Sequence, residues 1–178
     1  DIDSFAINVA TGIPSTSSLW VGGSASTQLD ARTSANRYLA TSIDTAGAIG
    51  GVQFQPNSAV IGGAIVSKIS AAQQTLLNTP ATTDGASVLA YLRGDRSGET
   101  AGTYRPRVHL LGDMINGEPV LVRAPSAGYA DIGYASYAST NASRTRMLFQ
   151  GANDGMLHAY VAGTGAEAWA YVPNLVMG

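Results

Sequence analysis

Residues 146–172 read RMLFQGANDGMLHAYVAGTGAEAWAYV, and this stretch decides the fold. It contains three apolar runs of strand length, which are Arg146–Gly151, Met156–Val161 and Ala168–Val172. The tripeptide Asn153-Asp154-Gly155 separates the first two runs and tolerates the positive φ that a tight hairpin requires. Gly163-Thr164-Gly165 provides a second turn. The pattern predicts an up-and-down β-meander, as in one blade of a β-propeller.

Further short apolar runs lie upstream, separated by glycine and proline. They predict strands at Phe5–Val9, Leu19–Val21, Tyr38–Ile43, Val60–Ile69, Val108–Leu111 and Val120–Arg123. The chain is therefore divided into a β-rich lead-in at 1–69, helices at 70–93, a polar loop at 94–107 and the strands of the blade at 108–178.

The two helices are predicted from their capping residues. Ser70 and Gln73 match a capping box, in which the serine accepts from the third helical N–H and the glutamine reaches back to the backbone N–H of the serine. Thr83 or Asp84 can cap a second helix. Gly94 fits the left-handed position just past the end of that helix.

The composition excludes several classes of protein. The chain has 178 residues, of which 45% are hydrophobic and 12% are charged, so it can bury a core. A net charge of −2 argues against nucleic-acid binding, and no apolar run is long enough for a transmembrane helix. The absence of cysteine excludes disulfides, thiolate metal sites and a cysteine nucleophile.

Three motifs, in the right order, resemble the C-terminal β-propeller domain of the PilC/PilY1 family of type IV pilus tip-associated adhesins and biogenesis factors. They are YLRGDRS at 91–97, LLGDMINGEPV at 110–120, and GANDGMLHAY at 151–160 together with TGAEAWAYVP at 164–173. The departures from the family's usual motifs, such as Met114 and Trp169, are mild. The larger departure is length, since a propeller needs more blades than this chain can supply.

The resemblance implies a mainly β fold, as part of a propeller of one or two blades with a short helical insertion around 70–93. It implies a non-enzymatic role in pilus biogenesis and surface adhesion, at the pilus tip, after export through the periplasm and outer membrane. Minor pilins or other pilus components are the implied partners, with a host or abiotic surface receptor as a further one. The family's calcium loop is expected outside this segment, and no cofactor is evident within it. We expect a fragment of a longer chain that does not fold stably as an isolated monomer, because a single blade leaves sheet faces and edges uncovered.

Arg93-Gly94-Asp95 spells the tripeptide that integrins recognise, and it is the first candidate binding site. A guanidinium and a carboxylate on either side of a flexible glycine can bridge a receptor acid and a receptor-bound metal. The structural interpretation is favoured, because Gly94 already serves as a helix terminator. For Asn153, Asp154 and Gly155, turn chemistry is likewise favoured over ligand binding.

Tyr129, Tyr134 and Tyr137 form the second candidate site. Tyrosine offers contact area at a small entropic cost, which suits an adhesive loop. The same rings would equally suit a cover for the outer face of a blade.

No catalytic constellation is apparent. His109 and His158 are placed in predicted strands, where a half-buried structural role is favoured over metal binding or general base catalysis. Asp1 and Asp3 lack the glycine and third ligand of a calcium loop. Two alternatives stay open: a quinoprotein-like propeller of the pyrroloquinoline-quinone type, suggested by the blade pattern ending at Trp169, and a periplasmic scaffold propeller.

Overall fold

The computed structural model describes residues 1–43, 50–56, 68–78 and 84–177. Its strands are β1 (Phe5–Ile7), β2 (Pro14–Ser18), β3 (Leu39–Ser42), β4 (Gly51–Gln53), β5 (Val120–Val122), β6 (Met147–Gly151), β7 (Leu157–Val161) and β8 (Glu167–Tyr171). Its helices are α1 (Ala25–Asp30), α2 (Ala71–Leu76), α3 (Gly85–Arg93), α4 (Ser97–Thr100) and α5 (Tyr134–Thr140), with 3-10 turns at Ser34–Asn36 and Asn174–Val176.

Six of the strands form one open sheet in the order β4-β3-β8-β7-β6-β5. The last four strands of the chain follow one another as an antiparallel meander, as predicted for β6, β7 and β8. Strand β3 then adds to β8 in parallel and pairs with β4 in antiparallel fashion. The described residues are thus a mixture of helix and strand built around a sheet, and the mainly β expectation holds for that scaffold.

One face of the sheet is covered by the rest of the chain. Leu39, His158, Tyr160 and Ala170 are buried on it. Two apolar clusters fill the space beneath. The first joins the sheet to the helices through Leu39, Val52, Phe54, Ile69, Leu77, Leu89, Met156, Ala170, Val172 and Met177, and the second joins it to the N-terminal segment through Ile2, Trp20, Ala25, Leu29, Leu110, Leu111 and Tyr160.

The opposite face of the meander, here called the open face, carries a row of apolar side chains. Because side chains alternate along a strand, the paired positions Val120, Phe149, Ala159 and Trp169 share this face. Phe149 and Trp169 are half-buried, with ring centroids 5.7 Å apart, and Val120 is 59% exposed. Among the described residues this face is covered only in part, since Ala159 is fully buried whereas Val120 and Leu157 are exposed.

The helix caps agree with the sequence analysis. The Ser70 hydroxyl accepts from the Gln73 N–H, and the Gln73 side chain accepts from the Ser70 N–H, which completes the capping box of α2. The Asp84 carboxylate accepts the N–H groups of Ala86 and Ser87 at the start of α3. Gly94 ends α3 with a φ of 112°.

Three predictions of local structure are wrong. Leu19–Val21 is a turn rather than a strand, and the strand of this region lies at Pro14–Ser18. Val108–Leu111 forms no strand, because the Leu110 N–H donates to the Asp30 carboxylate and the adjacent Leu110 and Leu111 are both buried. The predicted loop at 94–107 contains α4. Most of the strand predicted at Val60–Ile69 lies outside the described residues.

Candidate functional site

A chain of charged side chains, all buried except the partly buried Asp154, lies on the covered face of the sheet. It consists of Arg37, Asp154, His158 and Glu167, with Arg93 beside it. Strands β7 and β8 supply His158 and Glu167, the turn before β7 supplies Asp154, and α3 supplies Arg93. Residues far apart in sequence therefore meet at one site, which we call the ion network.

Glu167 lies at its centre. The Arg37 guanidinium donates to both oxygens of this carboxylate, with Nε 2.9 Å from Oε2 and Nη2 2.9 Å from Oε1. Both side chains are almost completely buried. Burial alone raises the pKa of the Glu167 carboxyl, but hydrogen bonds from His158 and Arg37 outweigh it and lower the pKa to about 2. Glu167 is therefore ionised at any physiological pH.

His158 bridges two carboxylates. Its Nδ1 lies 2.9 Å from Glu167 Oε1, and its Nε2 lies 3.0 Å from Asp154 Oδ2. An imidazole that faces carboxylates through both nitrogens donates from both, which requires the protonated form. Burial lowers the pKa of His158, but the hydrogen bonds to Asp154 and Glu167 outweigh it and raise the pKa above its usual value.

Arg93 is held by main-chain carbonyl groups rather than by an acid. Its guanidinium donates to the carbonyl oxygens of Phe54, Ser34 and Arg37 at 2.8 to 2.9 Å. Arg37 in turn donates to the Arg93 carbonyl at 3.0 Å. Burial lowers the pKa of Arg93 to about 10, and the group remains charged.

The alternating charges of the ion network compensate one another. Asp154 and Glu167 are negative, whereas His158 and Arg37 are positive. Buried ions are tolerated only when they are paired and hydrogen-bonded, and each of these four is. An imidazolium with both N–H groups engaged has no lone pair to accept a proton, so this arrangement suits a structural role.

The motif at 110–120 packs against the turn within the motif at 151–160. The Gly112 N–H donates to Asp154 Oδ2 at 3.1 Å, and the Asn153 N–H donates to the Asp113 carbonyl at 2.9 Å. A Cβ on Gly112 would lie 2.3 Å from the Asp154 nitrogen, so only glycine allows this approach. Asn153, Asp154 and Gly155 occupy the turn between β6 and β7, where Gly155 has a φ of 82°. Asp154 thus serves the turn and the ion network together.

The structure corrects the receptor interpretation of the tripeptide at 93–95. Arg93 is 4% exposed, and its guanidinium is engaged inside the protein. Gly94 caps α3, and Asp95 accepts the Ser97 N–H at 2.7 Å. The Arg93 guanidinium is therefore not accessible to a receptor.

The three tyrosines lie together in the connection between β5 and β6. Tyr134 contacts Tyr129 and Tyr137, with ring centroids 5.2 and 6.1 Å apart. Tyr137 lies on α5, and Tyr129 and Tyr137 remain 66% and 49% exposed. The rings are brought together as an aromatic cluster that solvent can reach.

The remaining candidate residues, His109, Asp1 and Asp3, form hydrogen bonds within the protein. His109 lies outside any strand and faces Asp30, with Nδ1 2.6 Å from Oδ2. Asp1 accepts from Ser26, and Asp3 accepts from Ser18. Across the described ranges, no group of three or more histidine, aspartate or glutamate residues is arranged to hold a metal ion. The longest described helix has nine residues, and none of the described helices could cross a membrane.

Sequence reasoning missed Arg37 and Glu167 as members of a site and placed His158 as half-buried rather than fully buried. Glu167 is the first residue of β8, inside the last motif, and a glutamate that is buried in a strand requires a partner. That signal pointed to a buried pair. It did not name Arg37, which comes 130 residues earlier in the chain.

Comparison with known proteins ties these motifs to one family. The chain is 39% identical over 114 residues to a type IV pilus biogenesis factor PilY1 homologue of Xylella fastidiosa, a match that covers 59% of the chain and 9% of the relative. It is 36% identical over 121 residues to the type IV pilus biogenesis factor PilY1 of Pseudomonas aeruginosa strain PAK, covering 61% of the chain and 10% of the relative.

The matched part is about a tenth of the length of these curated relatives. No family model and no solved structure matches the chain. The resemblance to the PilC/PilY1 family is nevertheless confirmed: over about 60% of its length, the chain is a relative of the type IV pilus biogenesis factors named PilY1.

Proposed function

We propose that this chain is part of a β-propeller in a protein of type IV pilus biogenesis and surface adhesion, and that it acts by binding rather than by catalysis. The observation that carries the proposal is the identity of 36 to 39% with PilY1 proteins over about 60% of the chain. The role of the whole protein comes from these relatives.

The meander supports the assignment to a propeller. Strands β5 to β8 form four consecutive antiparallel strands, which is the make-up of one blade. Their open face carries the exposed Val120 and the half-buried Phe149 and Trp169, whereas an apolar sheet face normally packs against another layer. A neighbouring blade is the layer that the proposal supplies.

The ion network supports a binding role. Its acids and bases are paired with one another, and the buried His158 is fully committed to Asp154 and Glu167. General acid–base catalysis needs a group that can exchange a proton with a substrate. The network instead fixes the motifs of the family to one another.

The quinoprotein alternative gains nothing specific from the structure. In that reading, a tryptophan near the end of a blade docks it to its neighbour, and Trp169 does lie on the open face beside Phe149. That position supports contact between blades, which pilus proteins and scaffold propellers would share. It does not favour a quinone.

The proposed location is the bacterial surface at the pilus tip, reached by export through the periplasm and outer membrane. The proposed partners are minor pilins or other pilus components, together with a receptor on a host cell or an abiotic surface. The exposed rings of Tyr129 and Tyr137 are the proposed adhesive contacts.

Complementation of a deletion strain separates biogenesis from adhesion. The deletion is expected to reduce the number of surface pili counted by electron microscopy, and the wild-type gene to restore it. The double variant Tyr129→Ser with Tyr137→Ser is expected to restore pili but not surface attachment. Tyr38→Ser, which alters a 54% exposed tyrosine elsewhere, is the matched control and should restore both. Normal pilus numbers in the deletion strain would contradict the proposal.

A further inference from the structure

Three arginines converge on a pocket where the β5–β6 pair ends. Arg123, Arg144 and Arg146 line this pocket, which has a volume of about 480 Å³. Its other lining residues are small or hydroxylated: Ala124, Ser126, Ala142 and Ser143. The lining contains three positive charges and no acidic side chain.

The ladder brings two of these arginines face to face. Val122 on β5 pairs with Met147 on β6, so the next residues outward, Arg123 and Arg146, leave the ladder opposite one another. Like charges at directly opposed positions repel and destabilise a pair of strands. The repulsion between these two arginines is not offset by an acidic side chain in the lining of the pocket.

Arg144 is fixed in place beside them. Its Nε donates to the Arg123 carbonyl at 2.7 Å, and its Nη2 donates to the same oxygen. Its Nη1 lies 3.3 Å from the Tyr137 hydroxyl. Because a guanidinium has five N–H donors, these three contacts orient Arg144 and leave donors for a ligand.

The charges of this pocket have no partner among the described residues. Arg37, Arg96 and Arg107 each form an ion pair with a glutamate. Within the same described residues, none of the pocket arginines pairs with a carboxylate. The chain as a whole has a net charge of −2, so the cluster is a local exception to its charge balance.

We propose that this pocket binds an oxyanion of the phosphate type. Guanidinium groups match the oxygens of phosphate through paired N–H donors, and hydroxyl groups supply further hydrogen bonds. A doubly charged ion with four oxygens can reach several arginines and the serines Ser126 and Ser143 together, and it removes the repulsion between Arg123 and Arg146. The phosphate is either free in solution or carried by a lipid headgroup.

The test is isothermal titration calorimetry of the intact protein with inorganic phosphate at low ionic strength. Arg123→Gln with Arg146→Gln is expected to weaken phosphate binding about tenfold or more, since each substitution removes charged hydrogen bonds. Arg123→Lys with Arg146→Lys keeps the positive charge but loses the paired N–H donors of the guanidinium groups, so this variant should bind phosphate with intermediate affinity. The control is Arg105→Gln, which alters an exposed arginine of a different groove and should bind as the wild type does. Circular dichroism establishes that each variant is folded.

Flotation with vesicles identifies the source of the phosphate. Vesicles that contain phosphatidic acid in phosphatidylcholine should bind the wild type and not the double glutamine variant if the headgroup is the ligand. If those vesicles do not bind but inorganic phosphate does, the ligand is a soluble phosphate. The proposal is overturned if phosphate gives no more heat than chloride and the vesicles do not bind, or if Arg105→Gln loses as much affinity as the double variant.

Discussion

Glu167 shows how much of this molecule depends on single side chains. One carboxylate accepts hydrogen bonds from Arg37 and His158 and thereby links β8, β7 and the segment before β3. Because all three groups are buried, each needs its partners to remain charged inside the protein.

Replacing Glu167 with glutamine tests this dependence. Glu167→Gln keeps the shape but leaves Arg37 and His158 without their shared negative partner, and we expect a loss of about 3–5 kcal/mol in the free energy of unfolding. Chemical denaturation of the intact protein measures it. Glu118→Gln alters an exposed glutamate and should change stability little. Equal stability of the two variants would show that the ion network contributes nothing.

Stability should depend on pH with a maximum between about 4.5 and 6.5. The pKa of Glu167 is about 2 in the folded state against 4.5 ordinarily, so its contribution is complete above pH 4.5 and is lost as the pH falls toward 2. The pKa of His158 is raised above 6.5, so its contribution is complete below that pH and is lost as the pH rises through the folded value. Unfolding free energies across the pH range measure both slopes. A free energy that does not decline on the alkaline side would contradict a charged His158.

At the scale of the element, the predictable parts are those with a local signal. The capping residues Ser70 and Asp84, the terminator Gly94 and the turn before β7 all act on backbone a few residues away, and the structure places each in that position. The irregular segment at 108–111 was unpredictable because a distant carboxylate, Asp30, takes the N–H of Leu110.

The site was harder to predict than the fold for the same reason. For the tripeptide at 93–95 the sequence favours a structural role, but it does not identify the carbonyl groups of residues 34, 37 and 54 that bind the Arg93 guanidinium. A sequence window contains no sign of these partners. The motifs of the family were recognisable, but their common function as an ion network appears only when the chain is folded.

Gly112 allows a prediction for the contact between motifs. Gly112→Ala places a Cβ 2.3 Å from the Asp154 nitrogen and should push the segment at 110–113 away from the turn, at a cost of about 1–3 kcal/mol in unfolding free energy. Gly128→Ala is the control, since a Cβ there meets nothing within 4 Å. Thermal denaturation compares the two. A wild-type melting temperature for Gly112→Ala would show that the segment is not docked as described.

At the scale of the whole molecule, part of the exposed apolar surface belongs to the six-stranded sheet, at Val120, Leu121 and Leu157, and part lies elsewhere, as at Val21 and Ile132. The sequence led us to expect uncovered faces on both sides of a blade. The structure corrects this, because the helices and the N-terminal segment bury one face. The open face and the edge strand β5, where Val120 and Leu121 are 59% and 45% exposed, remain.

The 178 residues expressed alone are therefore expected to self-associate rather than to melt as a stable monomer. An apolar face and an unpaired edge both favour contact with a second copy. Sedimentation velocity and thermal melting over a range of concentrations measure this. A cooperative transition that does not depend on concentration, in a monomer, would count against the need for a covering layer.

Hydroxyl-radical footprinting of the intact protein, read out by mass spectrometry, tests the central claim most directly. If the open face packs against a neighbouring blade, Trp169 should be protected to the same degree as Trp20, which is buried in the core. Tyr129 and Tyr137 should react rapidly in the same sample and serve as exposed references. A Trp169 that reacts clearly faster than Trp20 would contradict the account, because the open face would then be a free surface and the sheet would not be a blade within a propeller.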